Sequence, residues 1–176
     1  MRIVAGEWRG RRIEAPPGEA VRPTADRVRE AWMSILQWEI PGARVLDLFS
    51  GSGALGLEAL SRGAAFVDFV ELDARSIKSL EANIHALGAA ERCAIHRHDA
   101  VDFVSRPASD APYDVAFADP PYRLDFANRL AGCWLATPFA AIFGVEHERS
   151  AKLPEGGDRR IYGATALTIY RNPDAR

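Results

Sequence analysis

The run Arg44-Val-Leu-Asp-Leu-Phe-Ser-Gly-Ser-Gly-Ala-Leu-Gly56 constrains this chain more than any other stretch. A β-prone segment, Val45 to Phe49, meets a Gly-Ser-Gly turn and then a helix-favouring segment, Ala54 to Leu60, which predicts strand, tight loop and helix. Units of this kind hold nucleotides. Gly51 and Gly53 permit positive φ and carry no Cβ to block a ligand lying on the backbone, and the amides opening the helix are expected to point at that ligand. Asp47 precedes the loop. Glu71 ends the next apolar run, Phe66-Val-Asp-Phe-Val-Glu71, where doubly wound nucleotide-binding sheets place the acceptor for ribose hydroxyls.

From Arg44 onward, strand-like and helix-like segments alternate, the pattern of an α/β fold built on a mainly parallel sheet. The predicted strands are 44–49, 66–71, 93–97, 114–118 and 139–146, and 159–171 reads as two further strands turning near Gly163, an antiparallel pair at the sheet's edge. Ile77, Leu80, Ile84 and Leu87 form a helical stripe that Gly88 ends. Ahead of this unit, residues 1–40 read as an N-terminal extension, leaving 41–176 as the main domain. Short β-prone runs around Gly10 suggest a small hairpin. Thr24 is expected to cap a helix whose buried stripe is Val28, Ala31, Trp32, Ile35 and Leu36, with Arg27 and Arg29 off the stripe.

A chain of 176 residues with 48% hydrophobic content can bury one sizeable core. Cys93 and Cys133 lack metal-like spacing and read as reduced thiols, and His85, His96, His98 and His147 form no ligand cluster, so no metal is expected. No apolar stretch is long enough to span a bilayer, and the N-terminus has no signal-peptide character; a soluble, cytoplasmic monomer is expected. The net charge of −2 argues against indiscriminate nucleic-acid binding, but its distribution is uneven. Residues 1–29 carry seven Arg against four acids, +3, which leaves −5 for the remainder. That asymmetry suits an N-terminal segment that contacts phosphates, or else a solvated charged face.

The chemistry lies in Asp114-Val-Ala-Phe-Ala-Asp119-Pro-Pro-Tyr122, a buried strand running into a rigid turn. Two prolines fix φ and withhold their N–H groups, so their carbonyls serve as acceptors. Asp119 and the Pro120 carbonyl can accept both hydrogens of an exocyclic amine, Pro121 stiffens the turn, and Tyr122 can stack on the base. Held so, the lone pair of a conjugated amine turns toward a methyl donor, and positioning supplies much of the catalysis. The glycine spacing Gly51-x-Gly53-x-x-Gly56 also fits a dinucleotide fingerprint. However, Asp47 beside the loop repels a pyrophosphate and attracts an ammonium, and no hydride transfer explains Asp119 to Tyr122. The expected cofactor is therefore S-adenosylmethionine. Asp99-Ala100 ends the third strand, where Asp99 either accepts from the adenine amine or caps the following helix, or does both.

In these residues, and in Arg2-Ile-Val-Ala-Gly, Trp8-Arg-Gly-Arg11, Arg22-Pro-Thr-Ala-Asp-Arg-Val-Arg-Glu30 and Val45 to Ala64, the chain resembles the bacterial 16S ribosomal RNA (guanine-N2)-methyltransferases of the RsmD type. The resemblance covers nearly the whole chain. It implies a Rossmann-like class I methyltransferase: a mainly parallel seven-stranded sheet with an antiparallel C-terminal edge and an N-terminal hairpin-plus-helix extension. It further implies that Asp47, Ser50, Gly51 and Gly53 line the methionine end of the cofactor, Glu71 and Leu72 the ribose, and Asp99 and Ala100 the adenine. Thr24 would lie over the cofactor, and Asp119, Pro120, Pro121 and Tyr122 would hold the target guanine. Arg9, Arg11, Arg12, Arg22 and Arg27 would hold RNA of the small ribosomal subunit. The short polar segment Arg149 to Arg160 departs from the family pattern. The Asp-Pro-Pro-Tyr motif is shared with amine methyltransferases acting on DNA adenine, so a DNA enzyme and a non-catalytic RNA-binding assembly factor are the alternatives.

Overall fold

The computed structural model describes residues 1–16, 23–106 and 113–174. Helix α1 (Pro23–Ile35) leads into β1 (Arg44–Leu48), α2 (Ala54–Ser61), β2 (Phe66–Glu71), α3 (Ala74–Leu87), β3 (Cys93–Arg97), α4 (Ala100–Ser105) and β4 (Tyr113–Ala118). Then come α5 (Phe126–Ala136), β5 (Ala140–Glu148), β6 (Asp158–Tyr162) and β7 (Thr165–Arg171). The seven strands form one sheet in the order β3-β2-β1-β4-β5-β7-β6. The first five are parallel, and β7 runs antiparallel to both β5 and β6, as the sequence predicts. Winding reverses between β1 and β4, so their carboxyl ends open the crevice where such sheets bind ligands.

Alternation along the strands sorts the core into two layers. Val45, Val67, Val115 and Phe117 pack with α1, α2 and α3 on one face, whereas Leu46, Leu48, Ala116 and Ala118 pack with α4 and α5 on the other. Helix α3 ends on Gly88 at φ 69, the left-handed cap its sequence predicts. Trp32 of α1 sits edge-on to Phe117, with ring centroids 5.2 Å apart, and fits only because Gly144 of β5 has no side chain. A Cβ there would lie 2.1 Å from the indole ring.

The N-terminal segment departs from expectation in three ways. The hairpin is a loop closed by a single antiparallel bridge between Arg2 and Arg12, with no regular strands. Its apolar side chains Ile3, Trp8 and Ile13 are buried in the α1–α3 layer, so packing shapes it more than strand pairing. Thr24 is not the cap, because α1 already begins at Pro23, whose fixed φ and missing N–H suit the first helical turn. Arg29 lies on the buried face, not off it, with 7% exposure. Its guanidinium donates to the Arg2 carbonyl at 2.9 Å and pairs with Asp26 at 3.1 Å, so hydrogen bonds and an ion pair offset the burial of its charge.

Two side chains of α2 hold the same segment from the other side. Glu58, buried, accepts from the amides of Val4 and Ala5 at 2.8 and 3.1 Å, and the Ser61 hydroxyl accepts from Trp8 N and donates to Ala5 O. Gly6, at φ 83, lets the backbone approach Ser61 so closely that a Cβ would overlap its carbonyl.

Candidate active site

The loop after β1 adopts the conformation its glycines predict, with φ 53 at Gly51 and 81 at Gly53. Their roles differ. A Cβ on Gly53 would lie 2.4 Å from Leu80 Cδ1, and one on Gly56 2.3 Å from Phe69 Cε1, so these two allow α2 to pack closely. A Cβ on Gly51 would meet nothing within 4 Å, which leaves that position open to a ligand. Ser50 is buried, with its hydroxyl turned to the Val70 carbonyl at 3.4 Å.

The loop amides do not all face outward. Gly56 N donates to Asp47 Oδ2 at 2.9 Å, and Gly51 N donates to Glu71 Oε2 at 2.8 Å. The other Glu71 oxygen accepts from Leu72 N and Asp73 N at 2.8 and 2.9 Å, so three amides fix this carboxylate at the end of β2. Asp47, with 1% exposure, sits behind the loop. Burial is the main reason its carboxyl is pushed up to about 7; the Gly56 amide opposes this and the charges of Asp119 and Glu71 reinforce it. A loop whose donors are taken by carboxylates is a poor phosphate cradle and a good neighbour for a cation.

Beside the loop opens a cleft of about 570 Å³, within the range of small-molecule sites. The ends of β2 and β3 supply Glu71, Leu72, Asp73, Arg97, His98, Asp99 and Ala100 to its wall, and Phe49, Pro121 and Phe126 close it. Leu72 is 57% exposed there, an apolar surface for a flat ring or sugar. Asp99 does cap α4, accepting from Asp102 N at 2.9 Å, and it also lines the cleft, so both of its readings remain. Phe49 and Phe126, with centroids 4.9 Å apart, escape the sequence reading. The traceable signal for Phe49 is an aromatic ring entering a glycine loop, here at φ 58.

Asp119 follows β4 and is exposed, whereas Pro120 is buried and Pro121 lines the cleft. Pro121 and Phe126 also bound a second pocket, about 40 Å³, whose other walls include Tyr122, Glu146 and His147. The Tyr122 hydroxyl donates to Glu146 Oε1 at 3.0 Å and lies 3.0 Å from Thr165 Oγ1, which pins the ring at the tip of the motif. Burial pushes this hydroxyl's pKa up. Burial, with the charge of Asp119, also holds the Glu146 carboxyl up at about 8, against the Tyr122 bond. Nothing local in Gly144-Val-Glu-His-Glu148 marks Glu146 as a site residue, apart from an acid within an apolar strand.

The basic residues are not gathered at the cleft. Arg11 donates to the Ala86 carbonyl in the last turn of α3, and Glu7 pairs at 2.9 Å with Arg92, just before β3. Arg11, with the loop that carries Arg9 and Arg12, therefore lies by the start of β3, at the opposite end of the strands from the cleft and about 20 Å from it along the length of α3. Arg27 is exposed on α1; Arg22 lies outside the described residues, as does the side chain of Thr24.

The comparisons with known proteins agree with this geometry. The profile of a family described as "Conserved hypothetical protein 95" matches residues 1–171. Ribosomal RNA small subunit methyltransferase D of Haemophilus influenzae is 36% identical over 179 residues, 97% of this chain and 92% of the relative. The chain belongs to the ribosomal RNA small subunit methyltransferase D family. A solved structure of a hypothetical protein from Thermus thermophilus superposes with a TM-score of 0.85 at 32% identity, covering 98% of this chain and 99% of that one. The same fold occurs in the Thermus thermophilus 16S rRNA N2 G1207 methyltransferase, determined with AdoMet and guanosine (TM-score 0.69, 21% identity, 88% of this chain and 44% of that one). Within the methyltransferase D family, then, the Glu71 cleft and the Asp119 motif lie in one class I methyltransferase sheet, on either side of Pro121 and Phe126.

Proposed function

We propose that this chain transfers the methyl group of S-adenosylmethionine to the exocyclic N2 amine of a guanine in 16S ribosomal RNA. The observation that carries the reading is that Pro121 of the Asp119-Pro-Pro-Tyr122 motif lines the same cleft as the amide-pinned Glu71 carboxylate. The cleft fits the cofactor in volume and donor set: Glu71 for the ribose diol, Leu72 and Ala100 for apolar faces, Asp99 for the adenine amine, and open space over Gly51. The chemistry supplied by the bound cofactor is a methyl group activated on a sulfonium.

The protein's own contribution is position and charge. Asp119 and the Pro120 carbonyl accept the two N2 hydrogens, so the nitrogen lone pair leaves conjugation and points into the cleft. Tyr122, held through its hydroxyl, offers a fixed face on which a flipped guanine stacks, offsetting part of an unstacking cost of a few kcal/mol. Arg9, Arg11 and Arg12, toward the start of β3, hold backbone phosphates remote from the target nucleotide, and Arg22 and Arg27 hold further ones.

The test is to map N2-methylguanosine in 16S RNA from cells with and without the gene. Loss of the mark at one guanine, restored by the purified protein and S-adenosylmethionine, is the expected result. An unchanged guanine profile overturns the reading.

The raised Asp47 carboxyl makes a separate prediction. An ammonium and a sulfonium nearby favour its ionised form, so its pKa falls on binding and a proton leaves. At pH 7, close to its value in the ligand-free protein, up to about half a proton should be released per cofactor bound, falling toward zero above about pH 8.5. Calorimetry in buffers of different ionisation enthalpy measures this. Asp47→Asn should abolish the release; its persistence in that variant would place the titrating group elsewhere.

A further inference from the structure

The scheme above leaves one half-buried acid at the site without a task. In the register of β4 against β5, Ala118 lies beside Val145, so Asp119 and Glu146 follow at adjacent positions where β4 ends and β5 runs on. Glu146 helps line the small pocket against Pro120, Pro121 and Tyr122. Its orientation is controlled. The Tyr122 hydroxyl gives its single proton to Glu146 Oε1 at 3.0 Å, so the Thr165 hydroxyl, 3.0 Å from the phenol oxygen, is the donor to Tyr122. This two-step relay spans the Asp-Pro-Pro-Tyr turn, β5 and β7, and it fixes a carboxylate beside the place where the amine is to be held.

Above about pH 8, where the Glu146 carboxyl ionises, it is a carboxylate that accepts hydrogen bonds and donates none. On the Watson–Crick edge of guanine, the N2 amine is followed directly by the N1–H donor, so these two neighbouring positions both donate. The same edge of 2-aminopurine keeps the amine but has a bare lone pair at N1, which a carboxylate repels. We propose that Glu146 is the residue that selects guanine: its Oε2 accepts the N1–H of the target base while Asp119 and the Pro120 carbonyl hold the N2 amine. This rests on the reading of the site as a guanine-N2 methyltransferase, and it gives the Tyr122 hydroxyl a task besides stacking. Sites that pair with a substrate N–H reject an analogue lacking it far more strongly than apolar pockets reject a missing methyl group, because the site's own polar atom is left unpaired.

Glu146→Gln is the informative substitution, since its amide oxygen can still accept from Tyr122 while its NH2 replaces the Oε2 acceptor with a donor. The assay, run above about pH 8 so that Glu146 is ionised, compares methyl incorporation into small subunits reconstituted on RNA that carries either guanine or 2-aminopurine at the methylated position. Wild-type protein should prefer guanine. In the Gln variant kcat/KM for guanine should fall about 10- to 150-fold, the range for losing a hydrogen bond to a charged group. The 2-aminopurine to guanine ratio should rise at least about tenfold, because the new donor matches the bare N1. Glu146→Asp, still an acceptor, should be slower on both substrates but keep the preference for guanine. Equal losses on the two substrates in the Gln variant, with the ratio unmoved, would show a merely structural role and overturn the proposal. A Gln variant that no longer binds S-adenosylmethionine in calorimetry has lost its fold, and the Asp variant then decides alone: relaxed preference in it also overturns the proposal. Failure of the wild-type protein to methylate guanine at all would instead sink the reading on which this inference rests.

Discussion

Replacing Asp119 with alanine is expected to slow methyl transfer at least about 100-fold, the loss typical of one positioned catalytic contact, while S-adenosylmethionine still binds. The residue is exposed just beyond β4, so its removal leaves no cavity in either core layer and the fold should survive. What it removes is one of two acceptors for the amine, which then stays conjugated with the ring. Asp119→Asn separates the two components of the effect. Its amide oxygen still accepts, but the charge is gone, and that charge helps raise the carboxyl groups of both Asp47 and Glu146. If orientation dominates, Asn should keep much more activity than Ala, and the acidic limb of its pH–rate profile should move to lower pH as those two carboxyls fall. If the charge itself matters at transfer, Asn and Ala should be equally poor. Wild-type turnover by the Ala variant, with methyl transfer rate-limiting, would reduce the motif to a turn.

The fold was largely legible in the sequence because its information is local. Five β-prone runs separated by glycine and helical stripes could hardly be placed other than as a parallel sheet, and Gly88 stops α3 where the stripe ends. Legibility ended where the deciding contacts are distant. Charge counting along residues 1–29 could not reveal that Arg11 reaches Ala86, 75 positions away, or that Arg29 is turned inward to bind the Arg2 carbonyl. The first of these sets the N-terminal loop at the opposite end of the strands from the cleft. Within the site, the glycine spacing implied outward-facing amides, whereas two of them are satisfied by Asp47 and Glu71. Glu146 was invisible for a related reason: its significance arises only from the register that sets β5 beside Asp119.

Glu71 gives the second large effect, and its substitutions should behave differently from those at Asp119. Glu71→Ala is expected to weaken S-adenosylmethionine binding by about 1.5–3 kcal/mol for each charge-assisted bond lost to the ribose, about 10- to 150-fold per bond. It also strips the Gly51, Leu72 and Asp73 amides of their shared acceptor, so the glycine loop loses its tie to β2. Here the amide analogue should not rescue. Both Glu71 oxygens accept from backbone N–H groups, Oε2 from Gly51 and Oε1 from Leu72 and Asp73. Whichever way a glutamine side chain is turned, its NH2 therefore faces an N–H donor. Glu71→Gln should accordingly lose nearly as much affinity as Glu71→Ala, in contrast to the partial rescue expected of Asp119→Asn. The demethylated product keeps the ribose and should suffer the same loss as the cofactor, so the ratio of the two affinities stays constant while both fall. Calorimetric titration of both ligands against both variants reads all of this directly. Wild-type affinity in Glu71→Ala would remove the ribose from this carboxylate and confine its role to bracing the loop.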